Sequence, residues 1–260
     1  MDLDAILRRI GPCAVAVSGG VDSLTLAEAA HRALGDAAAM HHATSPAVPP
    51  EATLRTRALA AARGWRLAVF DAGEFADAAY RANPANRCFF CKTNLYGAIA
   101  ARTDRTILSG TNLDDLSDWR PGLEAAARQG VRHPFVEAGI DKAAVRALAA
   151  AYGLGEVAEL PAAPCLSSRI ETGLRIEAAV LAAVHEAERL VTARLAPRTV
   201  RCRVRAGAVV IELDAASLAA LEASECRRLQ ADVAALMRPA GVPHPVSVAA
   251  YRTGSAFLRA

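Results

Sequence analysis

The sequence predicts an α/β protein in which a mostly parallel sheet is covered by helices and followed by a smaller α+β region. Three observations carry this. Short apolar runs alternate with alanine-rich helical segments as far as Tyr152, the pattern of strands whose helices cross back over a parallel sheet. The first apolar run leads into a glycine turn, Ser18-Gly19-Gly20-Val21-Asp22-Ser23, and then into a helix. The alternation changes beyond a stretch rich in Gly and Pro, residues 153–175.

The elements follow in order. Residues 13–17, Cys-Ala-Val-Ala-Val, form an apolar run suited to a buried strand. Residues 24–34 place apolar side chains at helical spacing. Residues 37–42 and 65–70 read as strands around a helix at 51–63. A helix at 95–102 leads to a strand at 106–109. Residues 131–135 are a short segment before a helix at 142–152. Beyond the boundary, 176–195 is a long helix and 199–213 a strand or hairpin. Residues 215–238 are helical with a break near 223–224, and 243–251 form a last strand. The boundary is set near 172. Residues 1–172 form the nucleotide-type domain, and 173–260 a small α+β domain for substrate binding or oligomerisation.

The chain has 260 residues, 53% of them apolar, 22% charged and 5% aromatic. Wholesale disorder and collagen-like structure are excluded. Thirty basic and 27 acidic residues leave a net charge of +3, too balanced for a surface that coats DNA. No run reaches the length of apolar residues that spans a bilayer. The acidic start, Met1-Asp2-Leu3-Asp4, has neither the basic opening nor the cleavage site of a secretory signal. A cytoplasmic protein is expected, its six cysteines thiols or metal ligands rather than a disulfide scaffold.

The glycine turn is the most informative short motif. Its glycines allow a tight turn that brings N–H groups to an anion. Ser18 and Ser23 add hydroxyls, and the following helix adds its positive end. The turn reads as a phosphate or pyrophosphate site, with an ordinary capped turn as the bland alternative. It lacks the lysine that follows the last glycine of an ATPase P-loop and the third glycine of a dinucleotide fingerprint. A carboxylate here, Asp22, calls for a cation such as Mg²⁺ to offset its repulsion of phosphate.

Cys88-Phe89-Phe90-Cys91 is a single CxxC. Cys165 is its natural third member. Three thiolates suit a [4Fe–4S] cluster with one iron open to an external ligand, with Arg87, Lys92 and Arg169 as charge balance. Zinc, with His133 as a fourth ligand, and plain thiol chemistry are the alternatives. Cys13, Cys202 and Cys226 read as structural, and His31, His41 and His42 as core or surface residues. Arg201, Arg203 and Arg205 fall on one face of an extended segment and need an anion between them. Trp119 and its neighbours suggest a wall of a substrate pocket.

The turn resembles the SGGxDS signature of the PP-loop, or N-type ATP pyrophosphatase, superfamily. Together with 86–92 (NRCFFCK), 110–115 (GTNLDD) and 164–170 (PCLSSRI), it resembles the LarE family. Those are ATP-dependent sulfur transferases that help build the nickel-pincer nucleotide of lactate racemase. The resemblance runs to Tyr251-Arg252-Thr253-Gly254-Ser255 and implies a PP-loop domain of the adenine nucleotide alpha-hydrolase type.

It also implies chemistry. ATP with Mg²⁺ would lie on Ser18, Gly19, Gly20, Asp22, Ser23, Gly110, Thr111 and Asn112, with Asp114 and Asp115 near the metal or substrate. AMP would be attached to a carboxylate of pyridinium-3,5-biscarboxylic acid mononucleotide, releasing pyrophosphate, and sulfur would displace AMP. Arg201 and Arg203 would hold the substrate phosphate, and Cys165, Asp22 and Arg169 would serve catalysis. One branch of the family sacrifices the sulfur of a lone cysteine matching Cys165. The other has cysteines matching Cys88, Cys91 and Cys165, thought to hold a [4Fe–4S] cluster carrying an exogenous hydrosulfide, and this chain matches it. Ser109 departs from the Asp expected in many relatives. The implied assembly is a homo-oligomer, a hexamer, in transient contact with other nickel-pincer biosynthesis enzymes. The rival acceptor is tRNA, whose thiolases often carry further CxxC pairs that this chain lacks. A non-enzymatic nucleotide sensor is the rival of another class.

Overall fold

The computed structural model describes residues 2–116, 121–162 and 164–256. They form two compact units: Met1–Asp77 with Asn86–Ala163, and Ala78–Ala85 with Pro164–Ala260. In the second half of the chain the changeover falls between Ala163 and Pro164. Residues 78–85 join the second unit without any compositional signal. Among the described residues no helix is long and apolar enough to cross a membrane.

The first unit contains α1 (Leu3–Ile10), β1 (Cys13–Ala16), α2 (Val21–Leu34), β2 (Ala38–Thr44), α3 (Pro50–Arg63) and β3 (Arg66–Asp71). After α4 (Ala78–Arg81), which belongs to the second unit, it continues with α5 (Arg87–Ala100), β4 (Thr106–Leu108), α6 (Pro121–Arg128), α7 (Pro134–Glu137) and α8 (Lys142–Ala151). The strands form a sheet in the order β3-β2-β1-β4, all parallel, with Cys13 beside Ala38 and Thr106.

β1 is buried along its whole length, so both faces are covered and its residues are all apolar. Alternate side chains divide between two layers. Cys13 and Val15 pack with Leu24 and Ala27 of α2 and with Val145 and Ala149 of α8. Ala14 and Ala16 face Tyr96 and Ile99 of α5 and Ala126 of α6. The short segment at 131–135 is a single bridge from Arg132 to Leu108, after which Pro134 starts α7. The helix expected at 95–102 begins earlier, at Arg87, so the CxxC lies in its opening turns.

The second unit comprises α4, α9 (Ala178–Leu195), β5 (Val200–Arg205), β6 (Ala208–Leu213), α10 (Ala215–Ala219), α11 (Ala223–Met237) and β7 (Val246–Ala250). β5 and β6 form an antiparallel hairpin closed by Ala206 and Gly207, and β7 runs parallel to β6. Val180, Val184, Ala187 and Val191 form the buried stripe of α9, and Leu229, Val233 and Met237 that of α11. Residues 78–85 are tied in by hydrogen bonds. The Asn83 side chain donates to the carbonyls of Glu171 (2.8 Å) and Ile170 (3.4 Å), and Gly173 N–H donates to Asn83 O. Tyr80 Oη lies 2.7 Å from Ser167 Oγ.

Candidate functional site

The sheet order places β2 on one side of β1 and β4 on the other, so the connections leaving β1 and β4 depart toward opposite faces. Their carboxyl ends flank the crevice where open α/β sheets take ligands. The glycine turn leaves β1 there, and Ser109-Gly110-Thr111-Asn112 leaves β4. Gly19 turns the chain with φ +83, and a Cβ on it would lie 2.7 Å from the Ala52 carbonyl oxygen. Gly110 fits flat against the start of α2, where a Cβ would meet Asp22 C at 2.8 Å and Ser23 N at 2.9 Å. Both glycines are therefore required by close approach.

The turn is braced from several directions. Ser23 Oγ donates to Gly20 O (3.1 Å) and accepts from the Ser18 N–H and the Ser18 hydroxyl, both at 3.0 Å. Arg55 Nη1 donates to Gly19 O at 2.6 Å. His42 is buried, and burial holds its pKa below the ordinary value. Its Nδ1 donates to Val17 O (2.8 Å), leaving Nε2 to accept from Thr53 Oγ1 (2.9 Å). The amides of Val21, Asp22 and Ser23 belong to the first turn of α2, whose N–H groups have no intrahelical acceptor and point toward an anion.

Asp22 has two side-chain partners. Asn112 Nδ2 donates to one oxygen at 3.1 Å and Lys142 Nζ to the other at 2.5 Å. The ammonium that offsets part of the carboxylate's charge comes from the first residue of α8. Lys142 N–H donates to Asp114 Oδ2 (3.0 Å), and Asp141 caps the helix by accepting from Ala144 N–H (2.8 Å). Asp115 Oδ2 accepts from Asn112 N–H (3.1 Å). Sequence reasoning missed Lys142, although composition carried a signal. The chain has 28 arginines and two lysines, Lys92 and Lys142. One lysine lies beside the CxxC and the other against Asp22 of the glycine turn.

Cys88 is exposed and Cys91 half-buried, one helical turn apart on α5. Cys165, in the second unit, is exposed and precedes the short helical turn Leu166–Arg169. Arg169, itself buried, holds that turn. Its Nη1 donates to Pro164 O (2.6 Å) and Cys165 O (3.1 Å), while Nε and Nη2 grip the Glu188 carboxylate at 2.9 Å each. Cys13 and Cys202 are buried, and burial pushes their thiols up, that of Cys13 to about 11. Exposure therefore separates Cys88, Cys91 and Cys165 from these two, with Cys226 half-buried on α11. Among the described residues no three His, Cys, Asp or Glu side chains are gathered as a metal site.

Glu212 of β6 lies between Arg203 and Arg205. Arg203 Nε (3.0 Å) and Arg205 Nη2 (3.5 Å) reach its carboxylate, Ser255 Oγ donates to it (2.6 Å), and Arg203 Nη1 donates to Ser168 O (2.9 Å). Arg203 is buried, whereas Arg201 is half-buried with its guanidinium 5.9 Å from the Tyr251 ring centre. Burial first, and Arg169 second, lower the pKa of Arg201. Trp119 lies outside the described residues.

No protein-family model matches the chain. Over 203 residues it is 38% identical to the uncharacterized protein slr1717 of Synechocystis, covering 76% of this chain and 75% of that protein. Over 221 residues it is 29% identical to the Lactiplantibacillus plantarum protein named pyridinium-3,5-bisthiocarboxylic acid mononucleotide synthase, covering 83% of this chain and 79% of that one. With a parallel sheet that carries the glycine turn at the end of its inner strand, the chain belongs to the LarE-like family of the PP-loop superfamily.

Proposed function

We propose that this protein is an ATP-dependent sulfur transferase that converts a carboxylate of a pyridinium mononucleotide to a thiocarboxylate for the nickel-pincer cofactor. The observation that carries the reading is the glycine turn, with Asp22 held by Lys142 and Asn112. The name of the Lactiplantibacillus relative supports the choice of product.

In the proposed reaction a substrate carboxylate oxygen attacks the α-phosphorus, and the bond to the bridging oxygen breaks. Pyrophosphate leaves with that electron pair. The first-turn amides of α2 would bind it, with the Ser18 and Ser23 hydroxyls bracing the turn behind them, and Mg²⁺ would sit on Asp22 with Asp114 or Asp115. Lys142 offsets the Asp22 charge, so the turn meets a polyphosphate without a bare carboxylate opposing it. A sulfur nucleophile then attacks the acyl carbon, AMP departs, and a C–S bond replaces the C–O bond.

Cys88, Cys91 and Cys165 are exposed or half-buried thiols of the donor type an iron–sulfur cluster takes. They would hold a [4Fe–4S] cluster, which supplies the chemistry of a hydrosulfide donor. Arg169 keeps Cys165 in place through the backbone of its turn. A second reading makes Cys165 the sulfur source itself, ending as dehydroalanine; its exposed position favours that equally. The protein is proposed to work in the cytoplasm as a homo-oligomer, on a small nucleotide and without nucleic acid.

The test uses an anaerobic preparation given ATP, Mg²⁺ and the pyridinium substrate. AMP and pyrophosphate are expected, with roughly four irons per chain and an unchanged polypeptide mass after turnover. ADP and phosphate would refute the adenylation step. A polypeptide lighter by one H₂S and devoid of iron would establish Cys165 as the donor instead. In that case Cys88→Ala would keep its activity, whereas the cluster reading requires it to lose activity. A shift of tRNA mobility at physiological salt would reverse the choice of acceptor.

A further inference from the structure

We propose that His133 is a positioning residue of the nucleotide site, turning the Thr111 hydroxyl proton outward through Ser109 so that it donates to a phosphate oxygen. The inference rests on the ATP reading above and gives His133 a role different from the zinc ligand that the sequence offered as an alternative.

Ser109 follows β4 and is buried. Its N–H donates to Arg132 O (3.0 Å). Its Oγ lies 2.8 Å from His133 Nδ1 and 3.0 Å from Thr111 Oγ1. Gly110, between Ser109 and Thr111, lies against the backbone of Asp22 and Ser23. Thr111, half-buried, therefore stands at the rim of the phosphate turn, and His133 stands behind it.

A hydroxyl has one proton to give, so the row of three groups can be polarised in two ways. If Nδ1 lacks a proton, Ser109 must donate to it, and Ser109 Oγ then accepts from Thr111. The Thr111 proton points inward, and only lone pairs face an incoming anion. If Nδ1 carries its proton, His133 donates to Ser109 and Ser109 donates to Thr111. The Thr111 proton is then available to a phosphate oxygen as a charge-assisted hydrogen bond. Burial lowers the pKa of His133, against the opposing carboxylates of Glu137 and Asp115, so the ring is neutral near pH 7. The direction of the row is thus a choice of tautomer, set by what the other groups require. A bound polyphosphate selects the Nδ1–H form.

The experiment records long-range ¹H–¹⁵N spectra of ¹⁵N-labelled protein with and without α,β-methylene-ATP and Mg²⁺. Titration calorimetry of the same analogue accompanies it, on wild type, His133→Phe and Ser109→Ala. The expected results are an Nδ1–H His133 in the complex and affinity about tenfold weaker in each variant. The double variant should be no weaker than either, because the groups act in series. An Nε2–H ring in the complex, or unchanged affinity in both variants, overturns the inference and leaves the nucleotide site intact. A wild type that does not bind the analogue overturns the nucleotide reading and this inference with it. The tautomer is read on the wild-type protein, so the test does not depend on either variant folding.

Discussion

Replacing Gly110 by alanine isolates the role of close approach between the loop after β4 and the glycine turn. Gly110 is not among the glycines with positive φ, so alanine brings no backbone strain and the effect is space alone. The new Cβ would lie 2.8 Å from Asp22 C, 2.9 Å from Ser23 N and 3.0 Å from Asp22 O. Those are backbone atoms with no rotamer to yield, and a relaxed contact needs about 3.5–4.0 Å. The loop after β4 and the first turn of α2 must separate by roughly 0.5–1 Å. Overpacking of this kind costs about 1–3 kcal/mol. At about 2 kcal/mol the melting temperature falls by roughly 4–8 °C. The same displacement moves the first-turn amides of α2, so if the proposed nucleotide site is correct the ligand should no longer protect. Calorimetry with and without α,β-methylene-ATP at about 100 times Kd checks this, since intact binding adds about 2.7 kcal/mol. Gly97→Ala is the control. No atom lies within 4 Å of a Cβ there, and in the interior of α5 alanine should stabilise by about 0.4–1 kcal/mol. A Gly110→Ala protein that melts as wild type and keeps the full ligand-induced shift would refute the reasoning.

Lys142→Met leaves Asp22 without its ammonium, and KM for ATP should rise by about tenfold or more; unchanged steady-state kinetics would remove Lys142 from the site. Asn83 is buried at φ +54, so Asn83→Ala loses two hydrogen bonds and adds strain, destabilising by about 2–3 kcal/mol in urea titration. Asn83→Gly should cost less because it relieves the strain, and equal losses would contradict this account. Asp214 has its pKa pulled from the ordinary 3.8 to about 2, first by the Ser217 N–H. A folded pKa below the unfolded one means its contribution is present above 3.8 and is lost as pH falls through about 2. An NMR titration of Asp214 with a midpoint at 3.8 or higher would refute it.

The fold was legible because its signals are local. The apolar run at 13–17, the break between α10 and α11, and the hairpin at 199–213 each depend on neighbours in the chain. Three features were not legible, each for a physical reason. Residues 78–85 join the second unit through Asn83 and Tyr80, whose partners lie near residue 170, and no local pattern encodes a contact so far along the chain. The start of α5 was missed because Asn86-Arg87-Cys88-Phe89-Phe90 has weak helix propensity, which packing overrides. The lysine on Asp22 was missed because its helix begins far from the turn in sequence. What marked it was the rarity of lysine in an arginine-rich chain. An ammonium is a compact point charge, whereas a guanidinium pairs as a rigid two-pronged fork, and Asp22 is paired with the compact one.

The arginine strand shows how register decides a question that composition leaves open. Three arginines on one face require an anion, and a bound phosphate is one way to provide it. The two-residue turn at 206–207 fixes the hairpin so that Arg201 pairs with Glu212 and Arg205 with Ala208. A slip of one residue would send Glu212 to the opposite face of the sheet. In the observed register Glu212 is reached by both Arg203 and Arg205, and Arg203 has a further donor for Ser168 O. Arg169 repeats the arrangement, with Glu188 as its carboxylate and the carbonyls of Pro164 and Cys165 as its other acceptors. Each buried guanidinium is thus neutralised by one glutamate and spends its remaining donors on the backbone around Cys165. Removing either glutamate would strand a buried charge, a change that costs about 3–5 kcal/mol. The thiol at Cys165 faces outward on a turn whose backbone is held from beneath by two ion pairs. Its position is therefore set by the fold of the second unit before any ligand arrives.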